Sequence, residues 1–578
     1  MKKRLLVFFL ALFTIQAMAQ NRTITGTVTD ADADAPLPGV SILVKGTNTG
    51  TITDIDGNYS VDVSSSSAVL VFSYLGYGKI ERAVGNNSEL NVALEAEESA
   101  LSEVVVTAFG LEREKKALTY TVQDVSTEEI TQARELNVMN SLSGKVAGLS
   151  INRSGSGVGG STRVVLRGNR SISGDSQPLY IVDGVPAKGI ETLNPDDIAS
   201  INVLKGPNAA ALYGSRANNG AIVVTTKRGS ADGFKVSLNT SYMFDNPLIL
   251  TNYQNVYGQG SNGNYSPTSE FSWGPKMDGS SVAFWSPDPN SNIDSYEFSP
   301  QPNNIKDFYQ TGHNLATTLA ISGGNEKNQT YFSYTYTDAA GVVPNNELGR
   351  HSINLRITNK LTDKLTLDSK INYIRQDINN QLAQGENYAN PTRHIVRLPR
   401  NIRTEDISNF EYIDASGAAK QNYFNPGSNG GANPYWPLNR NLSKDTFDRI
   451  IAFTSANYEI SEGFTVMARA SLDRTFGVSE EKLYNDTYII AQNGRFSVGQ
   501  SESMEINTDF LISYEKTLSQ DWYFNINAGG NSRINRNSSL NSNTGQNMIV
   551  PNFFALSNTQ QVVSSYGVGS PKDVNSLY

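Results

Sequence analysis

The chain has 578 residues, which at ~150 residues per domain sets an expectation of three or four domains. Its 47 Lys+Arg against 56 Asp+Glu give a net charge of −9, which excludes a nucleic-acid binder because no excess of cations is present to neutralise phosphates. There is no cysteine, and the 3 histidines (His313, His351, His394) are scattered, which excludes thiol catalysis, disulfides, iron–sulfur clusters and a Cys/His zinc site. With 48 glycines, 9% aromatics and 18% charged residues, the composition reads as β-rich rather than helical or disordered.

Lys2, Lys3 and Arg4 precede an apolar run from Leu5 to Ile15, and Ala17-Met18-Ala19 stands before Gln20. This pattern predicts a secretory signal peptide over residues 1–19. The run is too short to cross ~30 Å of hydrocarbon, and no other apolar stretch reaches the ~18 residues of a transmembrane helix. A mature chain that spans a membrane must therefore do so as a β-barrel.

Residues 20–96 carry short alternating runs: Ile24, Gly26, Val28; Val40, Ile42, Val44; Val61, Val63; Leu70, Phe72, Tyr74; Leu90, Val92, Leu94. Turn signals at Pro36, Pro38 and Gly39 and at Asp54-Ile55-Asp56-Gly57-Asn58 separate them, predicting a small β-sandwich. The Asp54 loop lacks the ligand spacing of an EF-hand and is expected to be an Asx-type turn. Residues 97–116 form a charged linker around Glu103-Val104-Val105-Val106-Thr107. Such a β-branched run can add as a strand to a partner's sheet edge or extend the preceding sandwich.

Residues 117–229 mix helix and strand signals with dense glycine. A short helix is expected over 137–146 and strands over 162–167, 179–182, 198–204 and 221–226, with Pro195-Asp196-Asp197 suited to a helical first turn. The run 155–160 fits G-x-G-x-x-G, but Arg163-Val164-Val165-Leu166 after it reads as a strand. A dinucleotide site needs a helix N-terminus there, so the run is expected to be a plain glycine loop.

Residues 230–578 alternate with period 2. Phe234, Val236, Leu238, Tyr242 and Phe244 share one face; Ile353, Leu355 and Ile357 oppose Asn354 and Arg356; Leu365, Leu367, Ile371 and Tyr373 follow a tight turn. Val466, Ala468, Ala470 and Leu472 oppose Arg469 and Asp473, and Ile506, Phe510 and Ile512 oppose Asn507 and Asp509. Strands of about 10–12 residues are near the ~9–11 that cross a bilayer at a tilt. Tyr458, Phe464, Tyr514 and Trp522 flank short turns, as an interfacial girdle does. The long connections 246–309 and 379–447 would lie at the opposite, extracellular end.

In this order the segments resemble a SusC/RagA-type TonB-dependent outer-membrane transporter. Gly26-Thr27-Val28-Thr29-Asp30 and the Asp54 turn look like the family's carboxypeptidase-regulatory-like domain, and Glu103, Val104, Val105, Val106 and Thr107 like its TonB box. Val164-Val165-Leu166-Arg167-Gly168, Tyr180-Ile181-Val182-Asp183-Gly184-Val185-Pro186 and Ala211-Leu212-Tyr213-Gly214-Ser215-Arg216 look like its plug. Gly206-Pro207-Asn208 departs from the family, which commonly has an acidic residue there. The fold class implied is mainly β: a regulatory-like β-sandwich, an α/β plug, and the first part of a large antiparallel transmembrane β-barrel. The full family barrel has ~22 strands.

The resemblance implies energised import of an oligosaccharide or peptide across the outer membrane of a Gram-negative, Bacteroidetes-like cell. TonB would bind the box, a SusD-type lipoprotein would cap the barrel, and the N-terminal domain would sit in the periplasm. No enzyme, cofactor, metal or catalytic residue is implied. Trp273, Trp285, Tyr435 and Trp436 in the long connections are candidate sugar-stacking rings or, equally, loop-packing aromatics. The rival reading is a secreted multidomain adhesin or glycan-binding β-protein. About ten strand candidates follow residue 233, too few to enclose a plug ~30–35 Å across, so the chain is expected to be the N-terminal part of a longer transporter.

Overall fold

The computed structural model describes residues 22–31, 33–45, 47, 49–74, 77–95, 104–106, 112–114, 122–155, 157–169, 176–206, 209–210, 213–231, 233–425, 431–519, 522–546 and 548–577; the expected signal peptide lies outside them. The chain folds as two compact units, residues 1–105 with 113–118, and residues 106–112 with 119–578.

In the first unit, Arg22–Asp30 pairs antiparallel with Asn58–Val63 and parallel with Val92–Leu94. A second sheet runs in the order Gly50–Ile52, Ser41–Val44, Val69–Ser73, Ile80–Ala83. The alternation seen in the sequence brings Ile24, Val28, Val40, Ile42, Val61, Leu70, Phe72, Val92 and Leu94 into one core, as expected for a half-buried pleat. Asp54 Oδ1 accepts from the backbone N–H of Asp56 (3.0 Å) and Asn58 (2.8 Å), and Gly57 takes φ 76°; this is the Asx-type turn. Gly26 is needed for a different reason. It lies opposite Tyr59, whose hydroxyl donates to the Leu90 carbonyl at 2.7 Å, and a Cβ on Gly26 would overlap that carbonyl.

In the second unit, the plug segment forms a five-stranded sheet in the order Val122–Ser126, Ile198–Leu204, Ala221–Thr226, Leu179–Val182, Val185–Ala187. Ile130, Val138, Met139, Leu142, Ile201, Val203 and Ile222 are among its core. Ser126 and Glu129 close a capping box on the helix Thr127–Thr131. The helix expected over 137–146 is shorter, a 3-10 turn Val138–Leu142 capped by Asn137 and followed by Gly144 at φ 75°. The glycine run 155–160 joins the antiparallel strands Leu149–Arg153 and Thr162–Leu166, so no helix N-terminus follows it.

The remaining strands build one antiparallel sheet of 11 strands. In order they are Lys235–Asp245, Gly312–Gly324, Asn328–Ala340, Glu347–Lys360, Leu365–Asn379, Asn441–Ser461, Phe464–Thr487, Ala491–Ser519, Trp522–Asn543 and Val563–Val568, with Lys572–Leu577 also pairing to Trp522–Asn543. The last strand forms although its sequence hardly alternates. Lengths run from 6 residues in the last two strands to 29 in Ala491–Ser519; those of 13 residues and more exceed the expected 10–12, because hairpins grow past the bilayer-sized part. Phe464–Thr487 and Ala491–Ser519 stay paired to Thr487↔Ala491, a long hairpin.

Val236, Leu238, Ile353, Ile371, Phe510 and Ile512 are exposed on one face. On the other face Arg350, Asn354, Arg356, Lys370, Arg449, Arg469, Asp473 and Glu505 are buried. The exposed apolar face is the surface a lipid would cover. At the short-turn end Tyr458 and Trp522 are exposed and Phe464 and Phe524 rings meet Tyr514. The long connections are not loose: Trp285, Tyr296, Ile305 and Phe308 from one and Ile395, Leu398, Ile402 and Phe424 from the other share a hydrophobic core.

Gly26→Ala is expected to destabilise the first unit by about 1–3 kcal/mol through overpacking. Urea unfolding of the chain checks this, and an unchanged midpoint would mean the strand has room to shift.

Candidate functional site

Short plug turns meet charged side chains that the wall strands aim inward. Asp183 occupies the turn between Leu179–Val182 and Val185–Ala187 at φ 49°, a left-handed conformation that Asp tolerates. Its Oδ1 accepts from the Thr226 N–H at 2.9 Å and from Arg356 Nη1 at 3.0 Å; its Oδ2 accepts from the Thr226 hydroxyl at 2.8 Å and from Lys370 Nζ at 2.7 Å. The side chains of Asp183, Arg356 and Lys370 are each only 2% exposed. Arg356 also grips Asp368 through two bonds of 3.1 and 2.7 Å. Burial by itself would raise the Asp183 carboxyl, but Lys370 and Arg356 outweigh it and hold the group below the ordinary carboxylate range.

Other contacts follow the same plan. Arg449 donates to Asp473 at 3.0 and 2.9 Å and to the Gly189 carbonyl at 2.9 Å, while Asp473 accepts the Lys188 N–H at 3.0 Å. Arg216 of the plug pairs with Glu505 of the wall at 3.0 Å. Asp197, in the 3-10 turn Pro195–Asp197, accepts from the hydroxyls of Tyr331 (2.9 Å) and Ser333 (2.6 Å), and burial pushes its carboxyl up. The glycine loop fits against the wall directly. Val158 N–H donates to Asn346 Oδ1 at 2.7 Å, and a Cβ on Gly157 or Gly159 would overlap Asn346 or Ile378.

Toward the long-loop end lies a cavity of about 950 Å³. Its wall is a grid of inward side chains. Asn441, Leu483 and Arg495 make one row; Ser443, Glu481, Ser497 and Asn543 the next; Asp445, Ser479, Gly499 and Asn541 the third. Ser161 of the plug and Gln381, Gln384 and Asn387 of the second long connection also line it.

Of the four candidate rings, none lines this cavity. Trp285 is buried against Phe284 and Phe424. Trp436 is buried with its Nε1–H donating to Thr487 Oγ1 at 3.0 Å, and Tyr435 packs on Phe308. Burial gives these three the loop-packing role; Trp273 alone of the four is exposed, at 69%. Within the box, Val104–Val106 is a short strand, while Glu103 and Thr107 lie outside the described residues. The plug-to-wall ion pairs were not foreseen, though Arg356, Arg469 and Asp473 stood out as charges on the polar side of amphipathic strands.

His394 sits in the helix Pro391–Ile395 of the second long connection. Its Nδ1 accepts the Ala432 N–H at 3.1 Å and its Nε2 lies 2.8 Å from the Tyr388 carbonyl, an arrangement that suits the neutral ring with the proton on Nε2. Burial, with Arg393 and Arg397 adding to it, lowers the imidazole to about 4.

A family model described as a CarboxypepD_reg-like domain matches residues 24–106, and one described as a TonB-dependent receptor plug domain matches residues 114–221. The chain is 33% identical over 357 residues to TonB-dependent receptor P3 of Formosa agariphila, covering 61% of this chain and 32% of that protein. It is 29% identical over 398 residues to TonB-dependent receptor SusC of Bacteroides thetaiotaomicron, covering 67% and 36%. Among solved structures, the RagAB peptide importer in its closed-closed state superposes with a TM-score of 0.62 at 18% identity, over 80% of this chain and 52% of that one, a likeness of fold. The chain spans about a third to a half of the length of the curated relatives it matches. These matches leave the secreted adhesin without support.

Asp183→Leu is expected to destabilise the plug by about 3–5 kcal/mol, because it leaves Lys370 a buried cation without its carboxylate and takes from Arg356 one of its two acidic partners; denaturant-dependent proteolysis of the plug measures it. The loop core is expected to be stable above pH 6.5 and to weaken as pH falls from 6.5 toward about 4, since the unfolded chain then binds a proton that folded His394 refuses. Fluorescence of Trp285 and Trp436 follows this, and His394→Gln should flatten the profile.

Proposed function

As a TonB-dependent receptor of the SusC/RagA type, this chain is, we propose, the plug-bearing portion of an importer that carries an oligosaccharide or peptide across the outer membrane. The single observation that supports the reading best is the plug fixed to the charged face of the sheet by buried ion pairs at Asp183, which leaves a separate polar cavity toward the long-loop end. A plug held by buried ion pairs does not leave its place spontaneously, and releasing it needs outside work.

The box supplies a handle. Val104–Val106 is already extended, so TonB would add to it through main-chain hydrogen bonds, which depend on conformation more than on side-chain identity. On this reading the N-terminal domain would face the periplasm and the long connections the outside, where a SusD-type lipoprotein would hold substrate against them.

Topology sets the order in which a pull from the N-terminal side would act. Val122–Ser126 is the edge strand of the plug sheet, paired only to Ile198–Leu204. It is met first and has five residues to release. The Asp183 turn comes later along the chain, and its strand Leu179–Val182 pairs parallel with Ala221–Thr226 as well as being tied to the wall. The early plug segment therefore yields while the Asp183 region stays seated.

Val105→Pro removes a main-chain donor from the box. It is expected to abolish energised uptake while leaving ligand binding at the long-loop end intact, as read by whole-cell uptake and by binding to the purified full-length protein. Uptake at the normal rate would overturn the reading.

A further inference from the structure

The cavity above the plug has a chemistry of its own. At about 950 Å³ it is at the upper end of the ~300–1,000 Å³ of ligand pockets, enough for an oligomer rather than a single small metabolite. None of its described lining residues is aromatic. A pyranose offers its C–H face to a ring and gains most from such stacking; Trp285, Tyr435 and Trp436 are packed against other side chains, and the exposed Trp273 does not line this cavity.

What lines the wall instead is a shallow grid of carboxamides and hydroxyls. Rows along each strand repeat every second residue, a spacing of ~6.8 Å, which is the distance over which an extended peptide repeats its own N–H and C=O groups. A carboxamide carries both a donor and an acceptor, the pair a peptide unit needs: Asn541 presents both, Asn441 and Asn543 keep their amide N–H groups while their oxygens accept from Thr487 and Gly545, and Gln381 keeps its oxygen while its amide donates to the Gly159 carbonyl. The floor is kept low. Ser443, Ser479 and Ser497 are small, and a Cβ on Gly499 would overlap the Ser479 hydroxyl and the Asn541 amide, so a backbone can approach closely.

Charge gives the grid a sign. Glu481 is satisfied by Arg495 at 2.7 Å and Glu480 by Lys482 at 2.7 Å. Asp445 is different: it is half-buried, its carboxylate has no ion pair or hydrogen bond with a described residue, and the nearby charge of Glu481 is of like sign. A carboxylate held this way is stabilised by an incoming cation. We infer that the cavity takes an extended peptide carrying a basic group, with the Asn and Gln side chains on its main chain and Asp445 on the lysine, arginine or N-terminal ammonium. This rests on the importer reading and names its substrate class.

The test uses the full-length protein purified in detergent. A mixture of short random-sequence peptides is offered, the retained fraction is sequenced by mass spectrometry, and a panel of neutral oligosaccharides is titrated alongside. Retained peptides are expected to be enriched in lysine and arginine. Asp445→Asn, which keeps shape and removes charge, should erase the enrichment and weaken binding of a lysine-bearing peptide roughly fivefold at low salt, with a smaller difference at high salt. Enrichment that survives Asp445→Asn, or binding of oligosaccharides with no retention of peptides, overturns the inference. Uptake with and without Val105→Pro separates the two levels. Box-dependent uptake of an oligosaccharide leaves the importer reading standing and removes the peptide, whereas box-independent uptake removes the importer reading itself.

Discussion

Everything in the second unit depends on a charge that has been taken out of water. Asp183 cannot be buried alone; desolvation of an unpaired carboxylate is far more unfavourable than any single contact can offset. It is tolerated because Arg356 and Lys370 reach it from adjacent wall strands and Thr226 supplies two further donors. The converse is equally strict. Lys370 is tolerable on the wall only while the plug is in place, whereas Arg356 keeps Asp368 of the neighbouring strand. A wall built this way is incomplete by itself, and so is the plug, which explains why the two fold as one compact unit.

How much of this was legible in the residues depends on range. Local patterns read well: the alternation through Ile24, Val28, Val61 and Phe72 predicted the sandwich core, and the alternation at Ile353 to Ile357 predicted which face lies outward, because a pleat repeats every two residues regardless of what surrounds it. The plug strands over 179–182, 198–204 and 221–226 were equally plain, as near-continuous apolar runs. Pairings across hundreds of residues were not. Nothing near Asp183 in sequence announces Lys370, and the charges on the wall strands look like ordinary solvated faces until the plug covers them. Which of the two readings of the candidate rings a position favours was illegible for a related reason. A tryptophan flanked by glycine and proline suggests a loop, but whether the loop opens to solvent or folds on itself is decided by partners such as Phe424 and Thr487.

The loop core changes how the outer end of the molecule should be pictured. Two long connections that read as polar and variable bury Trp285, Phe308, Ile395 and Phe424 together, and Arg400 ties them by donating to the carbonyls of Gln301 and Pro302 at 3.0 Å. Loops that share a hydrophobic core have one shape, not many. They form a fixed rim on one side of the polar cavity, to which the second connection contributes Gln381, Gln384 and Asn387.

The glycine loop over 155–160 carries a consequence for ancestry. Where Gly157 and Gly159 face Asn346 and Ile378, the clearance between plug and wall is less than one methyl group. No tolerance remains for an independent change on either side: a bulkier residue on the wall strand demands a retreat of the loop, and a side chain on the loop demands a smaller wall residue. Two stretches of chain nearly two hundred positions apart must therefore vary in concert. A plug segment with a side chain at either glycine position would meet Asn346 or Ile378 at this point, so the segment and the strands it rests on can be exchanged only as a matched pair.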